Sequence, residues 1–438
     1  MDFSTLYIFL AGCTAGVITG IVPGLGPAHL LAMLYMWMTG WSPLHLMTFY
    51  VAYITISNFV DAIPSLYFGV PGEVSAVPAS RESQRLAQLG LTSGTVRLAA
   101  IGRTLGSLVA LVLSFFLVSW LLEIPEIFSS RWQMVFYVVT VICIAIAGRN
   151  SWWGNALMMA SGFAISLIGY NYYAGVEYFT GGWTELYSGV PLLPFLIGVY
   201  VIPQLLSSHD TAKRFELVQQ VSAPVQEYVP SMLRGTAIGY LLGLVPGMSY
   251  ILGSTAAYNF ERWWHQKFCK KNDISVAAVV ASETASNTGS MTVLIPLLLF
   301  GMPIIASEAV IYDLMVDAGA VFSLGSFLIT NYVILAQWFV IACVIGMIMS
   351  WPMADIFRRV AERLLDPRFI WILIGLILIS AGIEAYHSQK IAVYSAVFLA
   401  SLSAGWALRK RDVMPMVFVF VLGSSFQSIA YNLLQLYF

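Results

Sequence analysis

Apolar runs of about twenty residues or more, separated by short polar stretches, set the pattern of this chain. Runs of membrane-crossing length fall at roughly 5–38, 46–71, 94–122, 132–148, 152–168 and 189–206. A second set follows at roughly 232–258, 275–303, 320–350, 369–385, 391–408 and 413–436. Between the sets lies the longest polar stretch, running from Ser207 to Pro230. The pattern predicts an all-α polytopic membrane protein in three parts: a transmembrane repeat over 1–206, a polar linker over 207–231 and a second transmembrane repeat over 232–438.

Two interruptions argue that the sets are copies. GVITGIVPGLGP, starting at Gly16, breaks the first run, and Gly239-Tyr-Leu-Leu-Gly243-Leu-Val-Pro246-Gly247 repeats its G-x-x-x-G-x-V-P-G pattern. Pro64-Ser-Leu-Tyr-Phe-Gly-Val-Pro71 likewise matches Pro296-Leu-Leu-Leu-Phe-Gly-Met-Pro303, and a Ser-Asn pair precedes each, Ser57-Asn58 and Ser286-Asn287. The matched positions are 223, 229 and 232 residues apart in chain order, a slow drift expected of a duplicated unit with small insertions.

Loop charge then orients the copies. After the Pro-Gly motif, copy one carries no Lys or Arg before His45, whereas copy two carries Arg262, Lys267, Lys270 and Lys271. After the F-G-x-P motif the bias reverses: Arg81, Arg85, Arg97 and Arg103 in copy one, Glu308, Asp313 and Asp317 in copy two. Basic loops stay cytoplasmic, so the copies are expected to be inverted-topology repeats of about five to six membrane segments each. Inversion needs an odd number of crossings per half, so one segment per half must enter and leave on the same side. Either the segments broken at the Pro-Gly motifs or the Ser-Asn segments could do so; the former keeps all four loop assignments. Arg81, Glu82 and Arg85 predict an amphipathic surface helix, and Asp355 to Asp366 an interfacial one. The aromatic stretch from Tyr170 to Trp183 reads as an extramembrane loop, either an interface belt or a docking surface.

Composition strengthens the membrane assignment. The chain of 438 residues is 59% hydrophobic and 10% charged, and its net charge of −1 gives no basis for a nucleic-acid partner. The first basic residue is Arg81, so the basic region of a secretory signal is missing and the first apolar segment is expected to be retained. Cys13, Cys143, Cys269 and Cys343 lie too far apart for metal-ligand spacing, and no resident metal or other cofactor is expected.

Broken helices in a membrane survive only where protein or water satisfies the backbone, and a helix restarting after a break points free N–H groups at whatever sits there. Two such ends near the midplane form an anion site. The competing reading of G-x-x-x-G is close helix packing, although packing does not require the Pro-Gly that follows. The expected substrate-binding residues are Pro23, Gly24, Leu25, Gly26, Ser57 and Asn58 from copy one, with Gly247, Met248, Ser286, Asn287 and Thr288 from copy two. Asp61 and Glu283 are candidates for carrying a coupling proton or holding Na⁺. Asp61 could instead cap a helix, and Glu283 could lie at a segment end near water. Neither Ser-Asn segment holds a Lys or Arg, so dipoles and coupling cations are expected to meet the anion's charge.

At these residues the chain resembles the TctA large membrane subunits of tripartite tricarboxylate transporters and related archaeal membrane proteins. The resemblance rests on the two Pro-Gly repeats, Phe68-Gly-Val-Pro71-Gly72-Glu73, Arg234 to Gly243, and Ser282-Glu283-Thr-Ala-Ser286-Asn287 leading into Pro296. It implies a multi-pass protein of the prokaryotic cytoplasmic (inner) membrane that imports small organic carboxylates, di- or tricarboxylate-like, on a cation gradient. It also implies two partners, a small four-span membrane subunit and a periplasmic substrate-binding protein; a homodimer is a further open partnership. On this resemblance Asn58, Ser286 and Asn287 would sit near substrate. The run Tyr53 to Asp61 and Ile304 depart from the family's usual pattern. An intramembrane enzyme or a passive channel is the alternative, but the five histidines are scattered and neither H-E-x-x-H nor a Walker A motif occurs.

Overall fold

The computed structural model describes residues 3–21, 27–68, 74–124, 130–147, 150–171, 176–203, 206, 224–244, 249–269, 275–303, 305–322, 325–364, 367–387, 389–413, 415–417, 419–420, 423 and 426–427. Among them four helices are long and apolar enough to cross a membrane: Phe3–Gly20, Pro43–Tyr67, Thr92–Leu122 and Ser326–Ser350.

In the first half, α1 (Phe3–Ile21) and α2 (Pro27–Met38) flank the Pro-Gly break, and α3 (Pro43–Phe68) follows. α1 lies along α3 through glycines. A Cβ at Gly12 or Gly16 would come within 2.6 Å of the Phe49 or Tyr53 carbonyl oxygen, and one at Gly20 within 2.9 Å of the Ser57 oxygen. Residue numbers rise together, so α1 and α3 run parallel. α1 thus ends beside Ser57, the chain returns through α2, and α3 starts again from the end where α1 began. The Tyr53 hydroxyl, donating to the Pro27 carbonyl oxygen at 2.8 Å, ties the start of α2 to the same level.

The second half repeats this packing. α9 (Val229–Gly243) and α10 (Ser249–Trp264) flank the second break, and α11 (Ser275–Thr292) follows. Gly235, Gly239 and Gly243 of α9 meet Ala281, Ala285 and Gly289 of α11. Those three lie 229 positions after Ala52, Ile56 and Val60, which the α1 glycines meet. α10 folds back along α9, and Arg234 and Ser231 at the start of α9 clasp Glu261 near the end of α10, with Arg234 Nε at 2.8 Å. Burial works against the charge on Glu261, but hydrogen bonds from Arg234 and Ser231 outweigh it and hold the carboxyl below its usual range.

The halves interlock. α5 (Thr92–Leu122) packs on α11, where a Cβ at Gly102 or Gly106 would fall on the Thr284 and Thr288 hydroxyls. α14 (Ser326–Leu364) packs on α3, with Gly346 against the Phe59 ring. Each half therefore places a long helix against the other half's Ser-Asn helix. Two shorter helices do the same with tyrosines. The Tyr35 hydroxyl on α2 donates to Asp313 Oδ2 on α13 (Ala306–Asp317) at 2.7 Å. On α10, the Tyr258 hydroxyl donates to Glu82 of α4 (Val77–Gln88), and Arg262 reaches the same carboxylate at 3.1 Å. Tyr35 and Tyr258 stand at the same distance past their Pro-Gly motifs.

The remaining helices surround this core. α6 (Ser130–Ala147), α7 (Trp152–Ser166), α15 (Pro367–His387) and α16 (Ile391–Ala407) carry exposed large apolar residues such as Ile142, Leu157, Ile379 and Leu399. The short α8 (Leu192–Leu196) continues into a π turn over Ile197–Val201 that packs on α16. α12 (Leu294–Phe300) ends at Gly301, whose φ of 64° makes the left-handed cap that explains glycine in the second F-G-x-P motif.

Several expectations need correction. Arg103 is not a loop charge: it is 1% exposed, on α5. The helix after Pro78 exists, but Glu82 on it is buried rather than solvated. Residues 355–364 extend α14 through Pro352 instead of forming a separate interfacial helix. The second half begins its first helix at Val229, inside the expected linker, whose residues 207–223 lie outside the described residues. The loop after α7 contains a short two-stranded hairpin, β1 (Gly169–Asn171) against β2 (Val176–Tyr178), on a fold that is otherwise helical among the described residues, as expected. Most of 413–436 also lies outside the described residues.

Glycine packing yields a direct test. Alanine normally stabilises a helix relative to glycine by about 1 kcal/mol, yet Gly239→Ala is expected to destabilise, because its Cβ would lie 2.6 Å from the Ala285 Cα. Overpacking of this kind costs about 1–3 kcal/mol. Gly375→Ala, with nothing within 4 Å, is expected to be neutral or stabilising. Unfolding of the purified protein in detergent measures the contrast.

Candidate functional site

The polar residues of α3 and α11 meet at the centre of the molecule. Asn58 and Asp61 are one turn apart on α3, Glu283 and Asn287 one turn apart on α11, and Arg103 and Ser107 one turn apart on α5. All six are buried. Asn58 lies opposite Asn287 and Ser290, while Asp61 and Glu283 share Arg103, so α3 and α11 run antiparallel here.

Two linked networks result. In the neutral one, Asn58 Nδ2 donates to Asn287 Oδ1 at 3.3 Å and to Ser290 Oγ at 2.9 Å. Asn287 Nδ2 donates in turn to the Arg103 carbonyl oxygen at 3.2 Å and to Ser107 Oγ at 2.6 Å. In the charged one, Arg103 Nη2 donates to Asp61 Oδ1 at 2.9 Å and to Glu283 Oε2. The two carboxylates come from different halves and meet on one guanidinium nitrogen.

The networks leave capacity unused. Asn58 Oδ1, Glu283 Oε1, Arg103 Nε and Arg103 Nη1 are buried and have no hydrogen-bond partner among the described residues. A buried polar atom without a partner costs about 1–3 kcal/mol. The cluster therefore has both acceptors and donors to offer a bound species, and its formal charge is −1.

Of the seven residues named from sequence that are described, six lie in or beside these networks. Ser57 sits at the edge of the network, taking a hydrogen bond from Thr19 Oγ1 of α1 at 3.0 Å. Asn58 and Asn287 are in direct contact, and Ser286 is buried beside them on α11. Asp61 does not cap a helix but lies inside α3, and Glu283 lies inside α11, away from water. Thr288 serves helix packing instead, since its hydroxyl donates to the Thr284 carbonyl oxygen at 2.7 Å and faces Gly106. Pro23, Gly24, Leu25, Gly26, Gly247 and Met248 lie outside the described residues. The described helix ends that flank them reach the level of Ser57 in one half and Gly289 in the other.

Sequence reasoning missed Arg103. The signal was present: Gly102 and Gly106 form a G-x-x-x-G stripe in an apolar run, and an arginine next to that stripe faces a helix contact rather than a loop. With it, part of the negative charge of the Ser-Asn helices is met by a guanidinium. Among the described residues no group of three or more His, Cys, Asp or Glu side chains gathers as a metal site.

The tripartite tricarboxylate transporter TctA family matches residues 6–420. An uncharacterised 52.8 kDa protein of Agrobacterium vitis, described as in the TAR-I ttuC′ 3′ region, is 23% identical over 299 residues, 67% of this chain and 60% of that protein. An uncharacterised protein of Methanocaldococcus jannaschii is 24% identical over 280 residues, 63% of this chain and 66% of that protein. The alignments thus span roughly two thirds or less of both relatives' lengths. No solved structure matches. With the family matched across nearly its whole length, the chain belongs to the tripartite tricarboxylate transporter TctA family.

Proposed function

We propose that this chain is the large membrane subunit of a secondary transporter that imports a small organic carboxylate, di- or tricarboxylate-like, across a prokaryotic cytoplasmic membrane on a cation gradient. The observation that carries this reading is the buried Asn58–Asn287 contact between the two Ser-Asn helices, with Asn58 Oδ1 unpartnered beside it. Neutral amides can hold a carboxylate without a fixed countercharge, and the helices restarting after the two Pro-Gly breaks would add dipole ends at the same level. Asp61 and Glu283 are the coupling-ion residues. A four-span membrane subunit and a periplasmic binding protein are its partners, as family membership implies.

The mechanism follows from inverted repeats. The parallel packing of α1 on α3 and of α9 on α11, with α3 and α11 antiparallel, supports two re-entrant hairpins entering from opposite faces. Each hairpin's returning helix holds the other half through a tyrosine and a carboxylate, Tyr35 to Asp313 and Tyr258 to Glu82. Both holds are made at once here and the asparagine pair is buried, an occluded arrangement. Releasing one hold at a time opens the site to one side at a time, as alternating access requires.

Uptake of a labelled carboxylate panel into proteoliposomes, with Na⁺ and proton gradients imposed separately and a binding protein supplied, tests the reading. Accumulation under one gradient is expected, and Asn287→Ala should reduce it at least tenfold while the protein stays folded. Uptake that runs only downhill would instead establish a channel. In a background lacking the native cysteines, Tyr35→Cys with Asp313→Cys, or Tyr258→Cys with Glu82→Cys, bridged by a thiol cross-linker, should each abolish uptake. Reductive cleavage of the linker should restore it. Unchanged uptake with both bridges in place would refute the alternating holds.

A further inference from the structure

We propose that the Asp61–Arg103–Glu283 cluster is a proton site, with Glu283 as the carrier, and that the coupling ion of this transporter is therefore H⁺ rather than Na⁺. The inference deepens the transport reading and rests on it for the word coupling, but the proton site stands on its own geometry.

Two carboxylates from opposite halves share one guanidinium, so a single negative charge is left over in a place sealed from water. An uncompensated buried charge costs several kcal/mol. A proton removes that cost and needs no added space. A sodium ion would need several oxygen ligands, as hard cations do, and the place next to both carboxylates is already taken by the hydrogens of Arg103. The guanidinium holds the position a metal ion would need, and its unpartnered Nε and Nη1 repel one further.

Glu283 is the better carrier of the two. Its side chain is 1% exposed against 6% for Asp61, and its Oε1 is the unpartnered carboxylate oxygen of the cluster. Among the described residues, the charged groups that touch it are Arg103 from α5 and, through Arg103, Asp61 from α3. The other elements packed on α11 direct their charges elsewhere. Glu82 of α4 is held by Tyr258 and Arg262 of α10, and Glu261 by Arg234 of α9 and His265. The Glu283 carboxylate takes a proton from water on one side and returns it to water on the other, with no other bond made or broken.

Coupling follows from charge. The asparagine pair is bonded to the Arg103 carbonyl oxygen and stands one turn from both carboxylates. A carboxylate bound there beside a cluster of charge −1 meets like-charge repulsion that a proton on Glu283 removes. Anion and proton therefore favour each other's binding by the same factor, on the order of tenfold or more at the low effective dielectric of such a site.

Infrared difference spectroscopy of the lipid-embedded protein during a pH titration tests the site without any substrate. The wild type is expected to show the carbonyl stretch of a protonated carboxylic acid near neutral pH, absent in Glu283→Gln. Asp61→Asn makes the cluster neutral with Glu283 ionised, so the band should then appear only about one pH unit or more lower. A purely structural ion pair gives no such band in the wild type. Absence of the band, or its persistence in Glu283→Gln, overturns the proposal. In proteoliposomes, Glu283→Gln should lose accumulation driven by a proton gradient. Accumulation driven by Na⁺ alone and unaffected by Glu283→Gln overturns proton coupling while leaving transport intact. The band without uptake of any substrate overturns transport and leaves the proton site standing.

Discussion

The structure turns on one buried guanidinium. Arg103 sits on α5, in the first half of the chain, against α11 of the second half, and it joins Asp61 of α3 to Glu283 of α11. Removing it would leave two carboxylates facing each other without water, a loss of about 3–5 kcal/mol for a broken buried pair. Together with the Asn58–Asn287–Ser107 hydrogen bonds, the charge fixes the register of the three helices. Apolar faces slide past one another at small cost in lipid, where no hydrophobic force drives them together; a salt bridge with two ends does not.

What lets the helices come close enough for that contact is glycine. Gly12, Gly16 and Gly20 seat α1 on α3, Gly235, Gly239 and Gly243 seat α9 on α11, and Gly102 with Gly106 seats α5 on α11. The packing and binding readings of the G-x-x-x-G motifs are therefore not rivals. The glycines pack the hairpins, and that packing carries the helix ends next to the Pro-Gly breaks to the level of Ser57 and Gly289.

Much of this was legible in the sequence because it was written twice. The repeated Pro-Gly and F-G-x-P motifs and the Ser-Asn pairs located α3 and α11, and Asn58 and Asn287 do touch. Apolar run length located most helices to within a few residues. Two kinds of information were hidden. Arg103 looks like a loop charge when counted with Arg97, since linear charge counts ignore which side of a helix a residue faces. Thr288 looks like a ligand beside Asn287, yet one residue further along a helix is about 100° around it, enough to turn its hydroxyl to Gly106.

Duplication also explains why there is one charged centre and not two. Gly106 of α5 meets Thr288, and Gly346 of α14 meets Phe59, while Phe59 and Thr288 stand 229 positions apart as Asn58 and Asn287 do. α5 and α14 therefore occupy corresponding places in the two halves. Three residues before each glycine stand Arg103 and Cys343, both buried. A second arginine at 343 would bring another full charge into a core whose only two acidic groups, among the described residues of α3 and α11, already share Arg103. A cysteine there packs as a small apolar group and keeps the charge at −1. The backbone arrangement can be nearly symmetric while the charge is single, as the proposed transport of one substrate with one proton requires. A symmetric scaffold around an asymmetric charge is what the proposed alternation, two equivalent gates acting on a single load, needs.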